Sequence, residues 1–133
     1  MKYLYLLLSI VLFASCSDTN LTLNEGNFST VKFRIINNDN NHQAKIRTVF
    51  LESGFFKFDG NHETNVFPFE ESYASEINFA ANLGLEYEDL TVGDIGSYTI
   101  TVQMIRDNIL IREKLFTITT ANKKISFDAV INK

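Results

Sequence analysis

Hydrophobic and polar residues alternate along much of this chain, which is the pattern of β-strands with one buried face. Residues 31–35 alternate between apolar and basic side chains, and residues 42–52 return to this alternation until Val49 and Leu51 interrupt it. The segment between them, 37–41, consists of Asn and Asp, which favour turns and tolerate left-handed backbone angles. The two stretches together predict a hairpin with a long polar tip.

The C-terminal third shows the same period of two. Residues 98–104, 109–119 and 125–131 are rich in β-branched residues or alternate between apolar and polar side chains. Turn-forming residues separate them at 107–108 and 121–123. This pattern predicts three strands in a meander, with the last strand docked on the domain.

The middle of the chain is less regular. Residues 55–58 and 66–69 are interpreted as short strands around a turn at 59–61. Residues 71–83 fit both a helix and a strand, and the strand is preferred because the surrounding segments are β. The whole pattern predicts an all-β fold, an antiparallel sandwich of seven to eight strands.

One segment points to a more specific architecture. Residues 90–102 resemble the Asp-x-Gly-x-Tyr corner that opens a late strand in immunoglobulin-like domains, with Asp94, Gly96 and Tyr98 at the matching positions. The hairpin that follows is similar to the closing strands of bacterial polycystic-kidney-disease-type modules. The resemblance implies an immunoglobulin-like sandwich in which the Tyr98 hydroxyl bonds back to upstream backbone.

The N-terminus has the layout of a secretory signal. Lys2 precedes an apolar run over 4–14, which is interrupted only by Tyr5 and Ser9. This run is shorter than the roughly 20 apolar residues that span a hydrocarbon core. A signal peptide over residues 1–15 is therefore predicted.

The only cysteine of the chain, Cys16, lies where that signal would be cut. Residues 13–16, Phe-Ala-Ser-Cys, resemble the lipobox of bacterial lipoproteins, although Phe13 replaces the usual Leu. The resemblance implies that Cys16 is lipidated, with palmitate-type acyl chains, and that several such chains anchor the protein stably. Residues 16–24 then form the lipidated cysteine and tether, and 25–133 the sandwich domain. An ordinary signal peptide with a chance cysteine is the alternative.

Composition narrows the functional classes. The chain has 133 residues, enough for one domain, with 12 basic and 16 acidic side chains and a net charge of −4. This balance argues against a nucleic-acid partner, which needs a basic surface. A single cysteine excludes an intrachain disulfide and a multi-cysteine zinc site.

Residues that could perform chemistry are scattered. His42 and His62 lack the spacing of a zinc-protease helix, and the chain has neither a Gly-x-Ser-x-Gly elbow nor a glycine-rich phosphate loop. No enzyme activity and no cofactor are therefore expected. The acidic residues before the Tyr98 strand are candidates for a calcium site on a loop, or simply a solvated surface; they are Glu86, Glu88, Asp89 and Asp94.

The sequence therefore predicts a lipid-anchored, non-catalytic binding or structural module of the bacterial envelope, facing the periplasm or the cell surface. Its expected partners are the membrane, through the lipid on Cys16, and another envelope protein. The alternative function is that of an inhibitor or immunity lipoprotein that neutralises a hydrolase or toxin. An edge strand near Ile125 is a further candidate for pairing with another chain.

Overall fold

A computed structural model describes residues 28–39 and 41–133. The predicted signal peptide (1–15), Cys16 and the tether (16–24) lie outside the described residues. The strands, in chain order, are β1 (Phe28–Asn37), β2 (Ala44–Glu52), β3 (Phe55–Thr64), β4 (Phe69–Glu76), β5 (Ala81–Asp89), β6 (Ser97–Arg106), β7 (Ile109–Thr119) and β8 (Lys124–Ile131). The described residues include no helix long and apolar enough to cross a bilayer.

The eight strands form two antiparallel sheets of four, with the orders β4-β1-β6-β7 and β3-β2-β5-β8. This confirms the predicted all-β sandwich. Strands β1 and β2 lie in different sheets, whereas the first two strands of a constant-type immunoglobulin domain share a sheet. The likeness to immunoglobulin domains therefore concerns the two-sheet architecture and not the strand order.

The core lies between the inner faces of the two sheets. Along β1, β2, β5, β6 and β8 every second side chain is buried, as expected for strands covered on one face. The largest fully buried side chains come from both sheets and include Tyr87, Phe33, Phe50, Ile35 and Ile46. Apolar burial of this kind supplies the main driving force for the fold.

Two predicted connections are wrong. Strands β1 and β2 are not a hairpin, because β1 pairs with β4 and β6 while β2 pairs with β3 and β5. The last three strands are not a meander, because β8 leaves β7 and pairs with β5 in the opposite sheet. The connections that follow β1 and β7 each cross from one sheet to the other. Strand β8 is nevertheless an edge strand, as the sequence suggested.

The strands in the middle of the chain differ from the prediction in length and position. The predicted strand at 66–69 is wrong except for Phe69, because residues 65–68 form the connection between β3 and β4. The expected turn at 59–61 is wrong, because β3 continues through Gly60 without interruption. Residues 71–83 are β rather than helical, with 71–76 in β4, 81–83 in β5 and a short connection between them. The preference for strand over helix in this segment is confirmed.

Candidate functional site

The predicted corner is built around a buried carboxylate. The Tyr98 hydroxyl donates a hydrogen bond to Asp89 Oδ2 at 2.7 Å and lies 2.8 Å from the Tyr87 hydroxyl. The Thr91 backbone N–H donates to Asp89 Oδ1 at 2.7 Å. Tyr98 thus bonds upstream, as the resemblance implied, but to a side chain at the end of β5 instead of to the backbone.

His42 closes this cluster from the β1–β2 connection. Its ring stacks on Tyr98 with 3.9 Å between the ring centroids. Its Nε2 lies 3.3 Å from Asp39 Oδ2, and its Nδ1 lies 3.0 Å from Asp89 Oδ2. His42 thereby links the β1–β2 connection to the end of β5 and the start of β6, a role that no sequence motif predicted.

The protonation states of the corner follow from burial and hydrogen bonding. Burial acts to raise the pKa of Asp89, but the hydrogen bonds from Tyr98 and Thr91 outweigh it and the pKa is lowered. Burial raises the pKa of Tyr87 to about 12, and it also raises the pKa of Tyr98. At neutral pH the corner therefore contains an ionised carboxylate and protonated phenols, an arrangement that stabilises structure.

Asp94 and Gly96 form a second set of hydrogen bonds in the corner. Asp94 Oδ1 accepts hydrogen bonds from the Gly96 backbone N–H at 3.0 Å and from the Thr120 hydroxyl at 2.6 Å. Gly96 has a φ of 65°, which suits glycine in the turn that leads into β6. Asp94 thus ties the β5–β6 connection to the β7–β8 connection, while Tyr98 ties β6 to β5.

The four calcium candidates do not share one loop. Glu86, Glu88 and Asp89 lie in β5, so the expectation of an acidic loop is wrong for them, and only Asp94 lies in the connection that follows. The Nζ of Lys124 lies 4.0 Å from a carboxylate oxygen of each glutamate, whereas Asp89 faces the core. Within residues 28–39 and 41–133, no group of three or more His, Cys, Asp or Glu could hold a metal ion.

A second polar cluster lies at the margin between β3 and β4. Glu71 Oε2 accepts a hydrogen bond from the buried Thr48 hydroxyl at 2.7 Å, and Glu71 Oε1 lies 2.6 Å from His62 Nε2. The Tyr73 hydroxyl lies 3.1 Å from Thr48 Oγ1, and burial raises the pKa of Tyr73. Gly60 leaves room for these groups, since a Cβ there would lie 2.9 Å from the Tyr73 hydroxyl.

The sequence did not predict this margin cluster, because its members come from three strands and no regular sequence spacing relates them. The cluster joins β2 in one sheet to β4 in the other. Its histidine, carboxylate and hydroxyl groups are all engaged with one another. Like the corner, it connects the two sheets.

The outer face of the β3-β2-β5-β8 sheet is polar and shallowly concave. We call this surface the polar face, and it encloses about 350 Å³ lined by Lys45, Arg47, Asp59, Asn61, Glu86, Glu88 and Lys124. Arg47 and Asp59 form a two-point ion pair across it, with both N–O distances at 2.9 Å. Charges of both signs on a rigid sheet suit recognition of a polar partner.

Exposed apolar side chains concentrate at one end of the sandwich. We call this the apolar end; it contains Phe28, Phe55, Phe56, Phe79, Ile109, Leu110, Ile111 and Val130. Two tight hairpin turns form its tips, one at Ser53–Gly54 and the other at Asp107–Asn108, with positive φ at all four residues. These are the backbone angles of two-residue type I′ turns.

Comparison with known proteins does not assign this chain to a family. The sequence matches no protein-family model, and a search of curated proteins finds no significant match. The functional interpretation therefore depends on the residues of this chain: the predicted lipid attachment at Cys16, the polar face and the apolar end.

Proposed function

We propose that this protein is a lipid-anchored, non-catalytic module of the bacterial cell envelope, which holds a β-sandwich close to a membrane. One observation carries the proposal: Cys16 follows an apolar run and two small residues, and β1 begins only 12 positions later. A lipid on Cys16 is therefore connected to the folded domain by a short polar segment. Several acyl chains on one cysteine would anchor the domain stably.

The two internal polar clusters support a non-catalytic role. Asp89 is buried and bonded to Tyr98 and Thr91, and Glu71 is bonded to Thr48 and paired with His62. Catalytic acids and bases need access to a substrate in a cleft. Here the carboxylates instead connect strands and loops, so their hydrogen bonds stabilise the fold of a binding or structural module.

The polar face supports a binding role for the anchored domain. It lies on a sheet whose inner side is packed in the core, so its side chains are held on a rigid platform. Arg47 and Asp59 are already paired, which reduces the entropy lost when a partner binds. The mixture of charges favours a polar envelope protein as the partner.

The anchor is tested by labelling cells with radioactive palmitate and separating membrane from soluble fractions. We expect the wild-type protein to incorporate label and to fractionate with membranes. Cys16→Ser should abolish both, because the serine hydroxyl does not replace the thiol as the attachment atom. Since β1, the first strand that the structure describes, begins 12 positions after Cys16, the variant should fold normally, and its far-ultraviolet circular dichroism serves as the control.

An unlabelled wild-type protein that behaves like Cys16→Ser would refute the anchor. In that case the chain would be a free secreted domain, and the polar face would remain the place to search for its ligand.

A further inference from the structure

We propose that the apolar end of the sandwich inserts its hairpin tips into the interfacial layer of the membrane that holds the anchor. This inference rests on the proposed anchor at Cys16 and adds an orientation to it. The sandwich would stand with its strands rising from the bilayer. The polar face would then be presented to the side and away from the lipid.

Exposed apolar side chains are concentrated at this end. Phe55 is 77% exposed, Phe79 is 64% exposed and Ile109 is 67% exposed, and they lie at the start of β3, in the β4–β5 connection and at the start of β7. Single exposed apolar residues are ordinary, but a group gathered at one end marks an interaction surface. The chain brings these residues together only through its fold, since they are distant in sequence.

Hydrogen bonds and ion pairs hold the backbone of the apolar end rigidly. Glu52 Oε1 accepts hydrogen bonds from the backbone N–H groups of Asn78 at 2.5 Å and Phe79 at 2.8 Å, and Glu52 Oε2 lies 3.0 Å from Lys57 Nζ. The Phe79 N–H and Lys57 lower the pKa of Glu52, so it remains ionised at neutral pH. Ile77, in the same connection, is fully buried. The backbone is therefore held in place while the Phe79 side chain projects into solvent.

The position of the anchor identifies lipid as the occupant. Strand β1 starts at the apolar end with Phe28, 12 positions after Cys16. A segment of that length reaches at most about 40 Å. The opposite end lies about 30 Å further along β1. The anchor thus favours the apolar end over the opposite end for contact with the bilayer surface, where each weak contact is favoured by a high effective concentration.

The charge of the protein defines the kind of contact. With a net charge of −4 the chain is not drawn to anionic lipid, so the contact must come from the apolar side chains. Phe and Leu side chains enter the boundary between headgroups and acyl chains by roughly 5–10 Å. We therefore expect the contact to be the same on neutral and on anionic vesicles.

The chain contains no tryptophan, so a single introduced Trp reports on one position. Phe55→Trp and Phe79→Trp place the probe at the apolar end. Val92→Trp is the matched control, because Val92 is 96% exposed and lies in the β5–β6 connection at the opposite end. All three sites are on the surface, and thermal melts followed by circular dichroism verify that the variants fold.

The acylated variants, which begin at Cys16, are reconstituted into phosphatidylcholine vesicles with or without bromine on the acyl chains. We expect bromine to quench at least half of the Phe55→Trp and Phe79→Trp emission, with a blue shift, and to leave Val92→Trp emission unchanged. Equal quenching of the emission of all three variants would overturn the proposed orientation. A blue shift without bromine quenching would also overturn it, since protein and not lipid would then cover the apolar end.

Intact mass, measured on the same samples, separates the two proposals. Acylated protein whose Phe55→Trp and Phe79→Trp probes are not quenched refutes the orientation and leaves the anchor intact. Protein without acyl chains refutes the anchor. If that protein, added to the same vesicles, still shows quenching at the apolar end, the membrane contact stands by itself; without quenching, both proposals fail.

Discussion

Replacing Tyr98 by Phe removes one oxygen atom from the corner and leaves the ring in place. That oxygen donates to Asp89 Oδ2 at 2.7 Å and lies 2.8 Å from the Tyr87 hydroxyl. In the variant, a buried carboxylate loses one of its donors and Tyr87 loses its hydroxyl partner. The ring still stacks on His42, so the change isolates the hydrogen bonds from the packing.

The expected loss follows from the chemistry of the acceptor. A hydrogen bond to a charged group contributes about 1.5–3 kcal/mol, and an unpaired buried hydroxyl adds to the cost. Asp89 keeps the hydrogen bond from the Thr91 N–H, so the carboxylate still has a donor. We expect Tyr98→Phe to lower the free energy of unfolding by about 2–3 kcal/mol, or the melting temperature by about 10 °C for a domain of this size.

The assay is urea unfolding followed by far-ultraviolet circular dichroism. Tyr73→Phe is the matched control, because its hydroxyl also lies between a hydroxyl and a carboxylate, Thr48 at 3.1 Å and Glu71, but the side chain is only half-buried. It should cost no more than about 1 kcal/mol, because water can replace a hydrogen bond that is lost at a partly exposed site. If Tyr98→Phe costs less than about 0.5 kcal/mol, or no more than Tyr73→Phe, the corner does not stabilise the fold.

Two further predictions concern the corner carboxylate and one glycine. The folded protein holds the pKa of Asp89 below its ordinary value, so the unfolded chain binds the proton first as the pH falls, and the contribution of Asp89 is lost below about pH 4. Urea midpoints between pH 6 and pH 3 should fall less steeply for Asp89→Asn than for the wild type; equal slopes would contradict this. A Cβ at Gly60 would lie 2.6 Å from Phe58 Cε1, so Gly60→Ala should cost about 1–3 kcal/mol. Gly84→Ala, with 3.6 Å to Val49, should melt close to the wild type, and equal melting of the two variants would show that Gly60 is not crowded.

Strands with one buried face could be predicted because apolar and polar residues alternate along them in the sequence. β1, β2, β6 and β8 follow it closely. β5 also alternates, with Leu83, Leu85 and Tyr87 facing the core, but its outward acidic residues suggested a loop. Alternation identifies a strand without identifying its neighbour, which is why the hairpin and the meander were wrong.

The candidate functional sites likewise differ in whether local sequence predicts them. Cys16 was predicted from a local motif, because signal processing depends on contiguous residues. The apolar end was not, since Phe55, Phe79 and Ile109 meet only after the chain has crossed between the sheets several times. Gly60 illustrates the reverse error: Asp-Gly-Asn suggests a turn locally, whereas the fold uses the glycine to admit Tyr73 and His62 beside a continuous strand.

The anchor is the central claim, and the intact mass of the protein isolated from bacterial membranes tests it most directly. We predict a chain that begins at Cys16, lacks residues 1–15 and carries the added mass of acyl chains, whereas the Cys16→Ala variant carries none. A processed chain without acyl mass, or one that retains residues 1–15, would contradict it.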